Sequence, residues 1–154
     1  MRLVTTYAAV LAVVACQTVN AADTLCAPLR KFVESVKPHE SKTIIFRTSW
    51  GAEFKDSKEP ALAEKRCQHD GFDPAKLVCA DLMAHGPTEF AGTNVRSAIS
   101  CLSRDTRFAP RLSVHAIAVS FSYGTDDRGS LVDISLAEDD VVGGMALTIT
   151  ARGY

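Results

Sequence analysis

The chain lacks an excess of charge of either sign, with 17 Lys and Arg residues against 18 Asp and Glu residues. Nucleic-acid-binding proteins usually cluster Lys and Arg, so this balance predicts no nucleic-acid partner. The chain also lacks an apolar run of the roughly 20 residues that a helix needs to cross a bilayer. The longest apolar run, over residues 3–15, is too short, and we therefore expect no membrane span.

The motifs of common enzyme classes are missing as well. There is no GxSxG nucleophile elbow, no glycine-rich phosphate loop and no dinucleotide fingerprint. CxxC pairs are absent, and no two histidines lie three or four residues apart, as zinc-binding helices usually place them. The sequence therefore predicts no metal, no cofactor and no catalytic residue, and it favours a protein that is not an enzyme.

Residues 1–21 have the features of a secretory signal peptide. A single positive residue, Arg2, precedes the apolar run, and small side chains precede a cleavage site after Ala21. We therefore interpret residues 22–154 as a single exported domain, which is long enough to bury its own core. The residues before Cys16 also fit a bacterial lipoprotein box, so acylation of Cys16 is an alternative that would anchor the protein to a membrane.

Four cysteines remain in the predicted mature domain, namely Cys26, Cys67, Cys79 and Cys101. An even number in an exported protein is typical of disulfides, whereas a redox or metal site would usually place two cysteines closer together. Four cysteines allow three pairings. The segment between Cys67 and Cys79 contains glycine and proline, which permit a tight return and favour a bond between these two. That bond would leave Cys26 to pair with Cys101.

The hydrophobic pattern changes from helical to strand-like along the domain. Apolar residues recur every three or four positions in the first part and every second position after Pro110. The predicted helices cover residues 24–36, 59–68, 74–85 and 94–103. The predicted strands cover residues 42–50, 112–123, 130–137 and 145–152. These elements predict an α+β fold: a disulfide-linked helical N-terminal part packs on an antiparallel sheet of three or four strands, formed mainly by a C-terminal meander.

Two turns of the predicted meander are acidic, with Asp126 and Asp127 in one and Glu138, Asp139 and Asp140 in the other. Carboxylate oxygens are the ligands that calcium prefers. Successive turns of a meander lie at opposite ends of the middle strand, however, so the two groups cannot share one ion. We therefore expect both turns to be solvated.

Two loops with aromatic residues form the candidate binding surface. Trp50, the only tryptophan, ends a predicted strand, and Phe54 follows it in a polar segment that we expect to be an exposed loop. Phe90 lies in a loop of small residues between two predicted helices. Aromatic side chains are frequent at interface hot spots. The position of Trp50 is also typical of the rim of a core, and that of Phe90 of a plain connection between helices.

These features predict a non-enzymatic binding protein of the inhibitor or immunity type, whose partner is another protein or an envelope component. The lipoprotein-like leader favours a bacterial periplasm. One alternative is a small secreted hydrolase, in which a loop carboxylate such as Glu53 or Glu89 would converge with a histidine in one pocket. A second alternative is a structural accessory protein that is anchored to lipid through Cys16.

Overall fold

The computed structural model describes residues 21–154, which form three helices and one five-stranded sheet. Residues 1–20 of the predicted signal peptide, with Cys16 and its acylation, lie outside the described residues. The helices are α1 (Ala21–Glu34), α2 (Asp73–His85) and α3 (Ala91–Leu102). The strands are β1 (Ser41–Trp50), β2 (Ala63–Gln68), β3 (Ile117–Gly124), β4 (Gly129–Glu138) and β5 (Met145–Gly153). No helix in this part of the chain is long and apolar enough to cross a membrane.

The sheet is antiparallel throughout, with the strand order β2-β1-β5-β4-β3. The predicted C-terminal meander is confirmed, because β3, β4 and β5 are neighbours in the order in which they follow along the chain. β1 joins this meander beside β5, in a register that runs from the pair Ser41–Arg152 to the pair Thr48–Met145. The α+β class is as predicted, but the sheet has five strands rather than three or four.

β2 is the additional strand, and it replaces part of the helix predicted over residues 59–68. Ala, Glu, Lys and Arg favour a helix in this stretch. Residues Ala63–Gln68 nevertheless pair with β1, and the Cys67–Cys79 disulfide ties the strand to α2. Helix propensities differ by at most about 0.7 kcal/mol between ordinary residues, so strand pairing and a covalent bond override them.

The helices cover one face of the sheet, and the core lies between the two layers. Alternate strand residues face the helices and are buried: Ile44 and Phe46 on β1, Val132, Ile134 and Leu136 on β4, and Leu147, Ile149 and Ala151 on β5. α1 contributes Leu29 and Phe32, which are fully buried. The other face of the sheet, named the open face, carries small and polar side chains, such as the hydrogen-bonded pair Thr43 and Thr150.

Both disulfides join elements that lie apart along the chain. Cys26 on α1 bonds to Cys101 at the end of α3, and Cys67 on β2 bonds to Cys79 on α2. This is the pairing that the cysteine spacing favours. Two disulfides in one domain are typical of proteins from oxidising compartments outside the cytosol.

Candidate functional site

Trp50 is the last residue of β1, and half of its surface (50%) is exposed. By strand alternation it lies on the same side of the sheet as Ile44 and Phe46, which the helices bury. The chain turns away directly after it at Gly51, whose φ of 82° favours glycine. Trp50 therefore lies at the rim of the core, beyond the cover of the helices, where a partner could contact it.

Phe54 is fully buried, which corrects the expectation of an exposed aromatic residue in this loop. The segment after β1 folds back onto β2, where the Glu64 carboxylate accepts hydrogen bonds from the Ser57 hydroxyl and the Phe54 N–H, each at 2.6 Å. These bonds hold the pKa of Glu64 below its usual value. The Arg66 guanidinium covers the Phe54 ring, 4.6 Å from its centroid. Phe54 thus packs the loop against β2 and presents no surface to a partner.

Phe90 directly precedes α3 and is 63% exposed. It borders a cavity of about 600 Å³, named the loop pocket because the segment before β3 forms its other wall. Arg96, Arg111 and His115 line this pocket, and among its described lining residues Glu89 is the single carboxylate. The loop pocket therefore combines an exposed aromatic ring with a mainly basic wall.

A second cavity, of about 540 Å³, adjoins the loop pocket and shares the wall residues Glu89, Ala91 and Met145 with it. It is named the turn pocket, because the turn between β4 and β5 forms one side and Trp50 another. The two cavities together are named the aromatic groove. The structure thus brings Trp50 and Phe90 to one surface and leaves Phe54 out of it.

Asp139 holds the turn between β4 and β5, and its side chain is only 12% exposed. Its carboxylate accepts a hydrogen bond from the Val142 N–H at 2.8 Å and forms an ion pair with Arg47 at 2.6 Å. These two contacts, in that order, lower the pKa of Asp139. The expectation of a solvated turn is therefore wrong at Asp139, although Glu138 and Asp140 are exposed.

Gly144 allows the same turn to lie close to β1. Its φ is 74°, and a Cβ at this position would lie 2.3 Å from the Thr48 carbonyl oxygen. The turn is also bonded to the loop after β1, because the Lys55 N–H donates to the Val142 carbonyl at 2.8 Å. The wall of the turn pocket is therefore fixed by contacts between segments distant in sequence.

Arg96 on α3 fixes the wall of the loop pocket, and sequence reasoning did not single it out. Its Nη1 donates to the Leu112 carbonyl at 2.8 Å, and its guanidinium lies 5.6 Å from the centre of the Phe108 ring. The sequence does contain an indication of a basic wall. The segment after α3 includes Arg104, Arg107 and Arg111, and Asp105 is the single acidic residue from Arg104 to Arg111. That segment is the one that Arg96 holds in place.

Ser113 and His115 place a hydroxyl beside an imidazole in the loop pocket, with 3.2 Å between Ser113 Oγ and His115 Nε2. Glu89 lies on the wall of the same pocket, as the hydrolase alternative requires of a carboxylate. Among residues 24–154, however, no carboxylate forms a hydrogen bond or ion pair with His115. A catalytic triad needs such a group to orient the imidazole. The described residues therefore hold a hydroxyl–imidazole pair without the orienting carboxylate of a triad.

The described residues contain no group of three or more His, Cys, Asp or Glu side chains that could hold a metal ion. No protein-family model, curated protein or solved structure matches the chain.

Proposed function

We propose that the protein is a non-enzymatic binding protein that recognises a segment of another cell-envelope protein in the aromatic groove. The observation that carries this proposal is the exposure of Trp50 and Phe90, at 50% and 63%, beside two adjoining cavities. Aromatic side chains next to pockets contribute much of the binding energy at many interfaces. The compartment that we propose is the bacterial periplasm, in keeping with the disulfides and the predicted signal peptide.

The charges along the groove define the chemistry of this partner. Arg111 lines the loop pocket, whereas the exposed carboxylates of Glu138 and Asp140 line the turn pocket beside Lys55, the single cation among its described lining residues. A segment with an acidic residue at the first end and a basic residue at the second would match both. An apolar side chain between them would pack against the two aromatic rings. An inhibitor or immunity-type protein would recognise its target in this way.

The walls of the groove are held in place before any partner arrives. Arg96 bonds the segment that forms one wall, and Asp139 bonds the turn that forms the other. A preformed site loses less conformational entropy on binding, so more of the contact energy appears as affinity. This rigidity supports recognition of a defined segment.

Alanine at Trp50 or at Phe90 is expected to weaken binding of the partner about 30-fold, since truncation of an aromatic hot spot costs about 2 kcal/mol. The partner would first be identified by crosslinking from a photoreactive residue at position 90 in the exported protein. The dissociation constants of the purified proteins would then be measured by calorimetry.

Leu77→Ala is the matched control, because Leu77 on α2 is 49% exposed and lines neither pocket. Its dissociation constant should stay within about threefold of the parent value. A crosslinked partner that binds the Trp50 and Phe90 variants as tightly as the parent protein would refute the groove as the binding site.

A further inference from the structure

Most arginines of the domain fall into two groups with different surroundings, and Arg128, in the turn between β3 and β4, belongs to neither. Arg47, Arg66 and Arg152 each lie 2.6 Å from a carboxylate. The second group comprises Arg30, Arg96, Arg104, Arg107 and Arg111, near the junction of α1, α3 and the segment before β3. Among residues 24–154, none of this second group has an ion-pair partner. Arginines without an ion-pair partner are thus gathered on one side of the domain, where Asp105 is the one carboxylate in the segment from Arg104 to Arg111.

Three of these arginines line a cavity of about 510 Å³, named the arginine pocket. Arg96 lies on one wall, and Arg104 and Arg107 lie on the segment that follows α3. Hydroxyl groups from Ser97 and Ser100 on α3 and from Thr106 line the same cavity. The described lining residues include no Asp or Glu. The cavity therefore presents donors and positive charge, which suit an anion.

The position of Arg96 in this cavity is fixed. Its guanidinium is held by the Leu112 carbonyl and by the Phe108 ring, and neither contact carries negative charge. Its Nε is buried and has no hydrogen-bond acceptor among the described residues. The Cys26–Cys101 disulfide lines the same cavity and fixes the helix behind it. A charged group held rigidly without a counter-ion raises the local affinity for anions.

We propose that the arginine pocket binds the phosphate or sulfate group of a ligand in the envelope. Guanidinium groups bind tetrahedral oxyanions through paired N–H donors, and serine and threonine hydroxyls add further donors. The ligand is either a small soluble ester or the headgroup of an anionic lipid, since the two share this chemistry. Arg96 lines both the arginine pocket and the loop pocket, whereas Arg104 and Arg107 line only the arginine pocket, so variants of these two test the anion site separately from the aromatic groove.

The test is a titration of the mature, oxidised protein with inorganic pyrophosphate, followed by NMR or calorimetry. In parallel, the protein is sedimented with vesicles of phosphatidylglycerol and with vesicles of phosphatidylcholine. The Arg104→Gln/Arg107→Gln double variant should bind at least about tenfold more weakly, because charge-assisted hydrogen bonds are lost. Arg128→Gln/Lys58→Gln is the matched control, because it removes the same charge outside the pocket.

A soluble ester is supported if the parent protein binds pyrophosphate and only the Arg104→Gln/Arg107→Gln variant binds it more weakly. A lipid headgroup is supported if the protein binds phosphatidylglycerol vesicles but not pyrophosphate, and if only the pocket variant weakens this binding. The proposal is overturned if neither probe binds, or if the pocket and control variants weaken binding equally. Equal weakening would mean that net charge, and not this cavity, attracts the anion.

A separate observation concerns the two edges of the sheet. β2 carries Glu64, Lys65 and Arg66 on its edge, and charged residues are a common protection against unwanted strand pairing. β3, at the opposite edge, has the sequence IAVSFSYG, with no charge and no proline. Its register with β4 is unbroken over its whole length, so no bulge disrupts it. β3 therefore lacks three of the usual protections of an edge strand, namely charge, proline and a bulge.

The backbone groups on the outer side of β3 can be identified from the ladder. Gly129 exchanges hydrogen bonds with Tyr154 towards β5, so the next residue, Ser130, bonds across to Tyr123 on β3. The alternation then points the N–H and C=O groups of Ala118, Ser120 and Ser122 outwards, and all three residues are exposed. In residues 21–154 no other segment forms a backbone hydrogen bond to them.

We further infer that β3 pairs antiparallel with β3 of a second copy, around a twofold axis at Ser120. In this register Val119 lies opposite Phe121 of the other copy, and Ile117 lies opposite its Tyr123. These side chains are half-buried and apolar for the most part, so each pair covers exposed surface. β3 contains no charged residue, so no like-charge repulsion within the strand opposes this pairing.

Ser120→Pro tests this dimer, because proline removes the outward N–H at the axis and is tolerated at an edge. Ser120→Ala is the matched control, since both variants lose the hydroxyl bond to Asp133 but alanine keeps the N–H. Sedimentation equilibrium measures the dissociation constant of the dimer. This constant should rise at least about tenfold for the proline variant and stay within about threefold of the parent value for the alanine variant. A parent protein that is monomeric at every concentration, or a dimer that proline leaves unchanged, overturns the inference.

Discussion

Replacement of both Cys26 and Cys101 by alanine is expected to lower the free energy of unfolding by about 4 kcal/mol and Tm by about 15 °C. The disulfide joins residues that are 75 positions apart. On the chain-entropy view, a crosslink that closes a long loop restricts the unfolded chain more than one that closes a short loop. The bond also connects α1 to α3, the two helices that flank the arginine pocket.

Alanine at both Cys67 and Cys79 provides the comparison within the same protein. This bond closes a separation of 12 residues, so its loss is expected to cost about 3 kcal/mol. Both variants would be measured by thermal and urea unfolding of oxidised protein. A larger loss from the short crosslink than from the long one would contradict the entropic account. It would show instead that the attachment of β2 to α2 contributes more to the free energy of unfolding than the length of the closed loop does.

Asp139→Ala is expected to destabilise the domain by about 3 kcal/mol, because it leaves the partly buried Arg47 guanidinium without its carboxylate. The Arg47 and Asp139 side chains are only 15% and 12% exposed, so solvent compensates the loss poorly. The same substitution removes the acceptor for the Val142 N–H. Urea unfolding would measure the effect. Asp73→Ala is the control, since its pair with Lys76 is exposed and should contribute less than about 1 kcal/mol.

The contribution of Asp139 should also depend on pH in a defined direction. The Val142 N–H and Arg47 lower the pKa of Asp139 in the folded protein, so folding favours the charged carboxylate. This stabilisation is complete above the pKa of the unfolded chain, about 3.9, and is lost as the pH falls through the lower folded value. The difference in unfolding free energy between the parent protein and Asp139→Asn should therefore shrink below about pH 4. A difference that stays constant into acid would contradict this assignment.

The pattern of apolar residues was sufficient to predict the core strands. In the strands predicted over 112–123, 130–137 and 145–152, apolar residues recur at every second position from Ile117 onward, as a sheet with one buried face requires. The first of these strands begins at Ile117 rather than at residue 112, and residues 112–115 line the loop pocket instead. The spacing of the cysteines also favoured the observed pairing. These features are local, or depend only on distance along the chain, so a sequence contains them directly.

β2 and the loop before it were not predictable in the same way. The stretch over 59–68 has the composition of a helix, and its strand conformation depends on pairing with β1 and on a bond to Cys79. Phe54 is buried because Glu64 and Arg66 on that strand hold its loop. The polar composition of residues 52–58 predicts an exposed loop, and only the contacts with β2 bury Phe54.

The sequence by itself determined the α+β fold, the four cysteines available for two disulfides and the alternation that builds the core. The tertiary structure alone decided which polar residues meet. It placed Arg47 beside Asp139, it joined Trp50 and Phe90 along one groove, and it gathered three arginines without ion-pair partners around one cavity. Apolar residues recur at a regular spacing in the sequence because every strand or helix must present one face to the core. Contacts between side chains from distant loops leave no such record, since they depend on how complete elements pack.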